Sequence, residues 1–157
     1  MTVIIAITTT LAILSLAVIF GTDMSVAVVQ RAVYAGIDDR TLVQIVGRGH
    51  FYGDRRFPPI GIGGTVLTVA TVVLASMWAS PVAGILSGAA LALLIVWLLL
   101  FALIAKPINT TLTAAALADE VPTNARALQN RWESIIVLRA TLLAVDIALL
   151  CATLFFI

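Results

Sequence analysis

The sequence predicts an all-α fold, an integral membrane four-helix bundle with a short amphipathic helix in its first long connection. Three observations carry that expectation. Of 157 residues, 62% are hydrophobic and 11% charged, against about 25% charged in soluble domains. Four mostly apolar runs, at about residues 2–20, 60–78, 82–105 and 135–157, match the roughly 18 or more residues that cross a ~30 Å hydrocarbon core. The last run breaks the pattern by carrying Arg131, Glu133, Arg139 and Asp146 at or inside it. An ionisable group at the centre of a bilayer helix costs roughly 2.5–3.5 kcal/mol on insertion scales, so such a face turns into a bundle rather than toward lipid. Trp132, Arg139 and Asp146 recur every seven residues, two helical turns apart, and so share that inward face. The whole chain, 1–157, reads as one membrane domain.

The first run, TVIIAITTTLAILSLAVIF, lacks a basic leader and an Ala-x-Ala site, and is expected to be a retained helix. Its Thr8, Thr9, Thr10 and Ser15 suit close helix packing. The following GTDMSVAVVQRAVYAG can continue the same helix out of the membrane, with Asp23, Gln30 and Tyr34 on one face and Arg31 adjacent. Gly36 is a stop, and Asp38 or Asp39 a cap for the amphipathic stretch DRTLVQIVGRGH. Its Leu42, Ile45 and Val46 form an apolar side, suited to the membrane surface or to closing one end of the bundle. A loop holding Gly49, His50 and Phe51 then leads to Pro58 and Pro59, which restart the chain as helix two.

Gly61, Gly63, Gly64, Thr65 and Thr68 in helix two, and Gly84 and Gly88 in helix three, are small residues that let partner helices approach. Trp78 marks the far interface, and Ala79-Ser80-Pro81 forms a tight turn. Lys106-Pro107-Ile108-Asn109 ends the third apolar run. A short helix, a turn at 121–124 and a helical lead into the fourth span follow. Four spans put both termini on one side. The long connections hold eight of the nine Lys and Arg residues, which puts them in the cytoplasm and both termini outside, in the plasma (inner) membrane.

Composition and motifs also exclude function classes. A net charge of +1 without a basic tract gives no basis for nucleic-acid binding. The single Cys151 rules out an internal disulfide and is expected to be a small buried filler. One histidine and one cysteine, without Glu-x-x-His or Cys-x-x-Cys, offer no metal cluster. Gly61-Ile62-Gly63-Gly64 opens a span instead of following a strand, so it is no dinucleotide fingerprint. No cofactor is expected from the residues, although a borrowed metal or haem stays open. The available chemistry is one imidazole, several arginines, an amide and a few acids in or beside the long connections.

Pro107-Ile108-Asn109 closing the third span, with Arg131-Trp132 and then Arg139 entering the fourth, resembles the anthrone-oxygenase-like family of small four-helix membrane proteins. The resemblance spans nearly the whole chain. It implies oxidation of a flat phenolic, anthrone-type substrate by dioxygen without an organic cofactor. Under that reading His50 is the base, since only a histidine titrates near neutrality unperturbed. Arg31 and Arg139 hold a developing oxyanion. Asn109 bonds a phenol or carbonyl, Trp132 stacks on a ring, and Tyr34 and Asp23 complete the substrate-binding set. Asp146 and Arg131 are expected in a structural or proton-carrying polar network.

Each of these residues also has a plainer reading. His50 can be a surface histidine, and Trp132 and Arg131 can be interfacial anchors. Arg139 can snorkel, and Asp23 and Asn109 can cap helices. The rival function is a non-enzymatic membrane module, either a small subunit of a larger complex or homo-oligomer, or a lipid- or quinone-binding protein. The two readings differ in the interior. An enzyme for a small aromatic substrate needs a cleft lined by His50, Asn109, Trp132 and Arg139, whereas a scaffold fills that space with aliphatic side chains.

Overall fold

A computed structural model describes residues 1–157, and the chain is helical throughout, without a strand. The elements are α1 (Thr2–Ser25), a π-turn (Val26–Gln30), α2 (Arg31–Ala35), α3 (Asp39–Arg56) and α4 (Pro58–Trp78). They continue as α5 (Pro81–Leu100), a second π-turn (Phe101–Ala105), α6 (Lys106–Ala118), α7 (Ala125–Ser134) and α8 (Ile136–Thr153). Four continuous helical stretches are long and apolar enough to cross a membrane: Thr2–Ala35, Pro58–Trp78, Pro81–Ala118 and Ala125–Thr153. They pack as a ring of neighbours, α1 on α4 and α8, α5 on α4 and α8.

Their lengths differ in a way that organises the molecule. At 1.5 Å per residue, the 21 residues of α4 span about 31 Å, one hydrocarbon thickness. The 34-residue and 38-residue stretches run to roughly 51 and 57 Å and project past α4 at one end. That projecting end forms a cap. There α3 lies on α6, with Leu42, Val43 and Val46 buried against Ile108, Leu112 and Ala116. The N-terminus of α3 is capped as expected, the Thr41 amide donating to Asp38 at 3.0 Å. The C-terminus of α6 closes on Asp119 in the left-handed conformation (φ 57°), whose carboxylate accepts from Arg40 and Gln44.

Four expectations are corrected here. The third helix does not end at Lys106-Pro107. The π-turn just before it shifts the hydrogen-bond register, Lys106 N–H donating to Phe101 O, so Pro107 sits where a new α-segment begins and costs little. His50 lies on the last turns of α3 and not in a loop, because that helix continues to Arg56. Cys151 is exposed and fills no core. The small residues are not equivalent either. Gly64 faces Leu16 and Ser15 of α1, and Gly84 faces Ser76 of α4, but Gly63 and Gly88 face nothing within 4 Å.

Candidate functional site

A cavity of about 820 Å³ lies where the four long helices meet the cap. Trp132 of one buried cluster and Trp97 of another both line it, and Phe101 packs against both clusters. Both π-turns border it through Val26, Gln30 and Phe101. Such turns insert an extra residue into a helix and re-aim the side chains that follow, and they recur at functional sites. Six sequence-predicted residues line this space together: Asp23, Tyr34, His50, Asn109, Trp132 and Arg139. The interior is therefore a lined chamber, not a solid aliphatic core.

Two polar chains organise the walls. In the first, Asp54 accepts from Lys106 Nζ at 2.9 Å and from Asn109 Nδ2 at 3.1 Å. Asn109 Oδ1 accepts from the Trp132 indole at 2.9 Å, and the His50 ring leans on Trp132 at 5.5 Å between centroids. In the second, Asp23 accepts from Arg139 Nη2 and from the Trp97 indole, each at 3.0 Å. The Arg139 guanidinium sits among three rings, 4.8 Å from Trp97, 5.6 Å from Trp132 and 5.8 Å from Phe101. Trp97 and Phe101 lie nearly parallel, 3° apart. This setting fixes the guanidinium by cation–π attraction on top of its ion pair.

Three buried polar atoms on these walls have no partner: His50 Nε2, Arg139 Nε and Gln129 Oε1. Buried polar atoms are normally hydrogen-bonded, so three orphans on residues that line one cavity set this wall apart from the rest of the interior. Burial pushes the His50 imidazole down to about 4; the Asp54 charge opposes this, while Arg139 and Lys106 add to it. At neutral pH His50 is thus uncharged, with one ring nitrogen free to accept.

The structure reassigns several residues. Asp23 is a counter-ion with both oxygens engaged, and Asn109 is held at both ends of its amide, so both position neighbours and neither caps a helix. Arg31 is off the cavity and half exposed, paired with Glu133 at 3.5 Å. It reaches the site only at one remove, since Glu133 accepts from Gln129 at 2.8 Å. Tyr34 donates to Gln30 at 2.6 Å beside the chamber. Arg131 is exposed on the outer surface and belongs to no inner network. Asp54, Gln129, Trp97 and Lys106 were missed from the sequence. The i, i+4 spacing from His50 to Asp54 was the available signal for the first.

Asp146 is fully buried but does not join these chains, and neither carboxylate oxygen has a hydrogen bond. The spacing rule put it on the Trp132–Arg139 face, but Asp146 lies two turns farther along α8 than Arg139, beyond the residues that line the cavity. A buried unsatisfied polar group costs about 1–3 kcal/mol. Asp146→Leu is therefore expected to raise the melting temperature in detergent while leaving the cavity unchanged. A lower melting temperature for that variant would reveal a hidden partner.

No three His, Cys, Asp or Glu side chains gather in a metal-ligand arrangement. No family model matches this chain, and no curated protein or solved structure is significantly similar to it.

Proposed function

We propose that this chain is an integral membrane four-helix bundle that oxidises a flat phenolic, anthrone-type substrate with dioxygen, as its resemblance to the anthrone-oxygenase-like family implies. Its cap and long connections face the cytoplasm, both termini face outward, and the host membrane is the plasma membrane. The observation that carries this reading is the unpartnered Nε2 of a neutral His50, in a chamber shared with the ring-caged Arg139.

An anthrone carries a methylene made acidic by its carbonyl. His50 Nε2 takes one proton from that carbon, leaving an enolate whose oxygen is held by the Arg139 guanidinium. The imidazolium so formed is stabilised by Asp54, the nearby charge that favours it. The enolate passes one electron to dioxygen, and the resulting radical pair joins as a carbon–oxygen bond. The peroxide anion regains the proton from His50, and loss of water with the second methylene hydrogen yields the quinone. One dioxygen is consumed and one water released per anthrone, and no external electron donor is needed. Trp97, Phe101 and Trp132 supply flat faces for the rings.

His50→Gln is expected to abolish anthrone turnover in purified membranes while expression and folding hold. Unchanged turnover removes the base from the scheme. The pH profile gives a second check. A free-protein imidazole at about 4 keeps kcat/KM flat from neutrality to about pH 5, falling below that as His50 protonates. Stability follows the same group. The unfolded histidine binds its proton near pH 6.5 and the folded one only near 4. Protonation thus favours unfolding, and stability falls as pH drops through that window, by on the order of 3 kcal/mol. His50→Gln should flatten this dependence, and an equal slope in the variant places the titration elsewhere.

A further inference from the structure

We infer that the chamber opens sideways into the lipid phase, through a port between α1 and the start of α4, and that its ligand arrives from the bilayer. The proposal deepens the oxidative reading by naming the substrate class: a bilayer-dissolved amphiphile with a flat apolar body and one polar end.

The port is a gap in the helix ring. Farther from the cap, α1 and α4 touch closely: a Cβ on Gly64 meets Leu16 and Ser15 at 3.1 Å, and Thr9 donates to Thr71 at 3.3 Å. Toward the cap the packing loosens at two glycines. A Cβ added at Gly21 on α1 or at Gly61 on α4 meets nothing within 4 Å, and both residues line the chamber. The third side is also open, because α3 packs principally on α6 and leaves the end of α1 uncovered.

The rim is apolar. Val18, Ile45, Phe57 and Ile62 line the chamber and are 44%, 49%, 37% and 64% exposed. Four half-exposed apolar side chains around a cavity mouth suit contact with acyl chains better than contact with water. Their depth agrees. Gly61 and Ile62 lie about one turn inside α4, the helix whose length matches the hydrocarbon. The unpaired Arg55 and Arg56, stacked on Phe51 and Tyr52, sit just beyond its end, at the level of headgroups. The two unpartnered nitrogens, on His50 and Arg139, stand on the α3 and α8 walls; α1, whose Asp23 is already engaged by Arg139 and Trp97, and α4 frame the mouth. An amphiphile entering sideways therefore brings its polar end to the unpartnered nitrogens and leaves its apolar body at the port.

Tryptophan fluorescence tests this without any turnover. Trp78→Phe removes the exposed indole and leaves only Trp97 and Trp132, which both line the chamber. In nanodiscs of phosphatidylcholine brominated near the glycerol end of its chains, these two indoles should be quenched by contact, and aqueous iodide should quench them little. Gly21→Phe or Gly61→Phe, at positions where a side chain finds open space, should abolish the bromolipid quenching with helicity unchanged. Quenching by iodide in place of bromolipid means that the mouth opens to water and overturns the proposal. Absence of quenching by either agent means a sealed chamber and overturns it equally. Lipid-side quenching with no anthrone turnover keeps the port and removes only the oxidative reading.

Discussion

Asp23→Ala is expected to cost about 3–5 kcal/mol of stability, the usual penalty for removing one partner of a buried ion pair. Asp23 and Arg139 are only 4% and 5% exposed, and each is the other's sole ionic partner, at 3.0 Å. Without the carboxylate the guanidinium keeps its charge, loses its counter-ion and strands another donor beside its already unpartnered Nε. The Trp97 indole loses its acceptor at the same time. The measurement is the midpoint of thermal unfolding in detergent, followed by circular dichroism. The double change Asp23→Leu with Arg139→Met should recover much of the loss, since an apolar pair of similar volume needs no counter-ion. If the double variant is as unstable as the two single changes together, the residues do not act as a pair.

Gly47→Ala should disrupt the cap. A Cβ at Gly47 falls 2.3 Å from the Leu112 carbonyl oxygen and 2.5 Å from the Ala116 Cβ. The first obstacle is backbone and the second a β-carbon fixed to it, so neither can rotate away and α3 must lift from α6. Overpacking of this kind costs typically 1–3 kcal/mol. The displacement also carries His50, three residues farther along the same helix, away from Trp132. Gly49→Ala is the internal control, because a Cβ there meets nothing within 4 Å. It should stabilise α3 by roughly 0.5–1 kcal/mol, the ordinary gain of alanine over glycine in a helix. Equal melting temperatures for the two variants would contradict the close approach of α3 and α6.

The membrane-length helices were legible because hydrophobic runs and their punctuation are local signals. The extension of α1 past Phe20, the Asp38 cap and the turn before α7 are of the same kind. His50, Asn109, Trp132 and Arg139 around one space is the arrangement that the enzymatic reading required and a scaffold would lack; the rule that charges do not face lipid accounted only for the inward turn of Arg139. Three features were not legible. Two π-turns shift the helical register at Val26–Gln30 and Phe101–Ala105, and neither has a sequence signature as strong as a glycine or a proline cap. The engaged state of Asn109 and Asp23 depends on Asp54 and Trp97, which lie 55 and 74 residues away along the chain. The isolation of Asp146 was hidden because seven-residue spacing tells which residues share a helix face, not how far along that face the cavity extends.

By itself, then, the sequence determined that four helices are long and apolar enough to cross a membrane, and which stretch carries polar groups that must be sheltered. Those properties follow from hydrophobicity and backbone geometry read a few residues at a time. Only the tertiary structure decided which polar groups pair, which are left with a free nitrogen, and where the helix ring parts. These outcomes depend on distances between segments remote in sequence and on the small register shifts that bring them face to face.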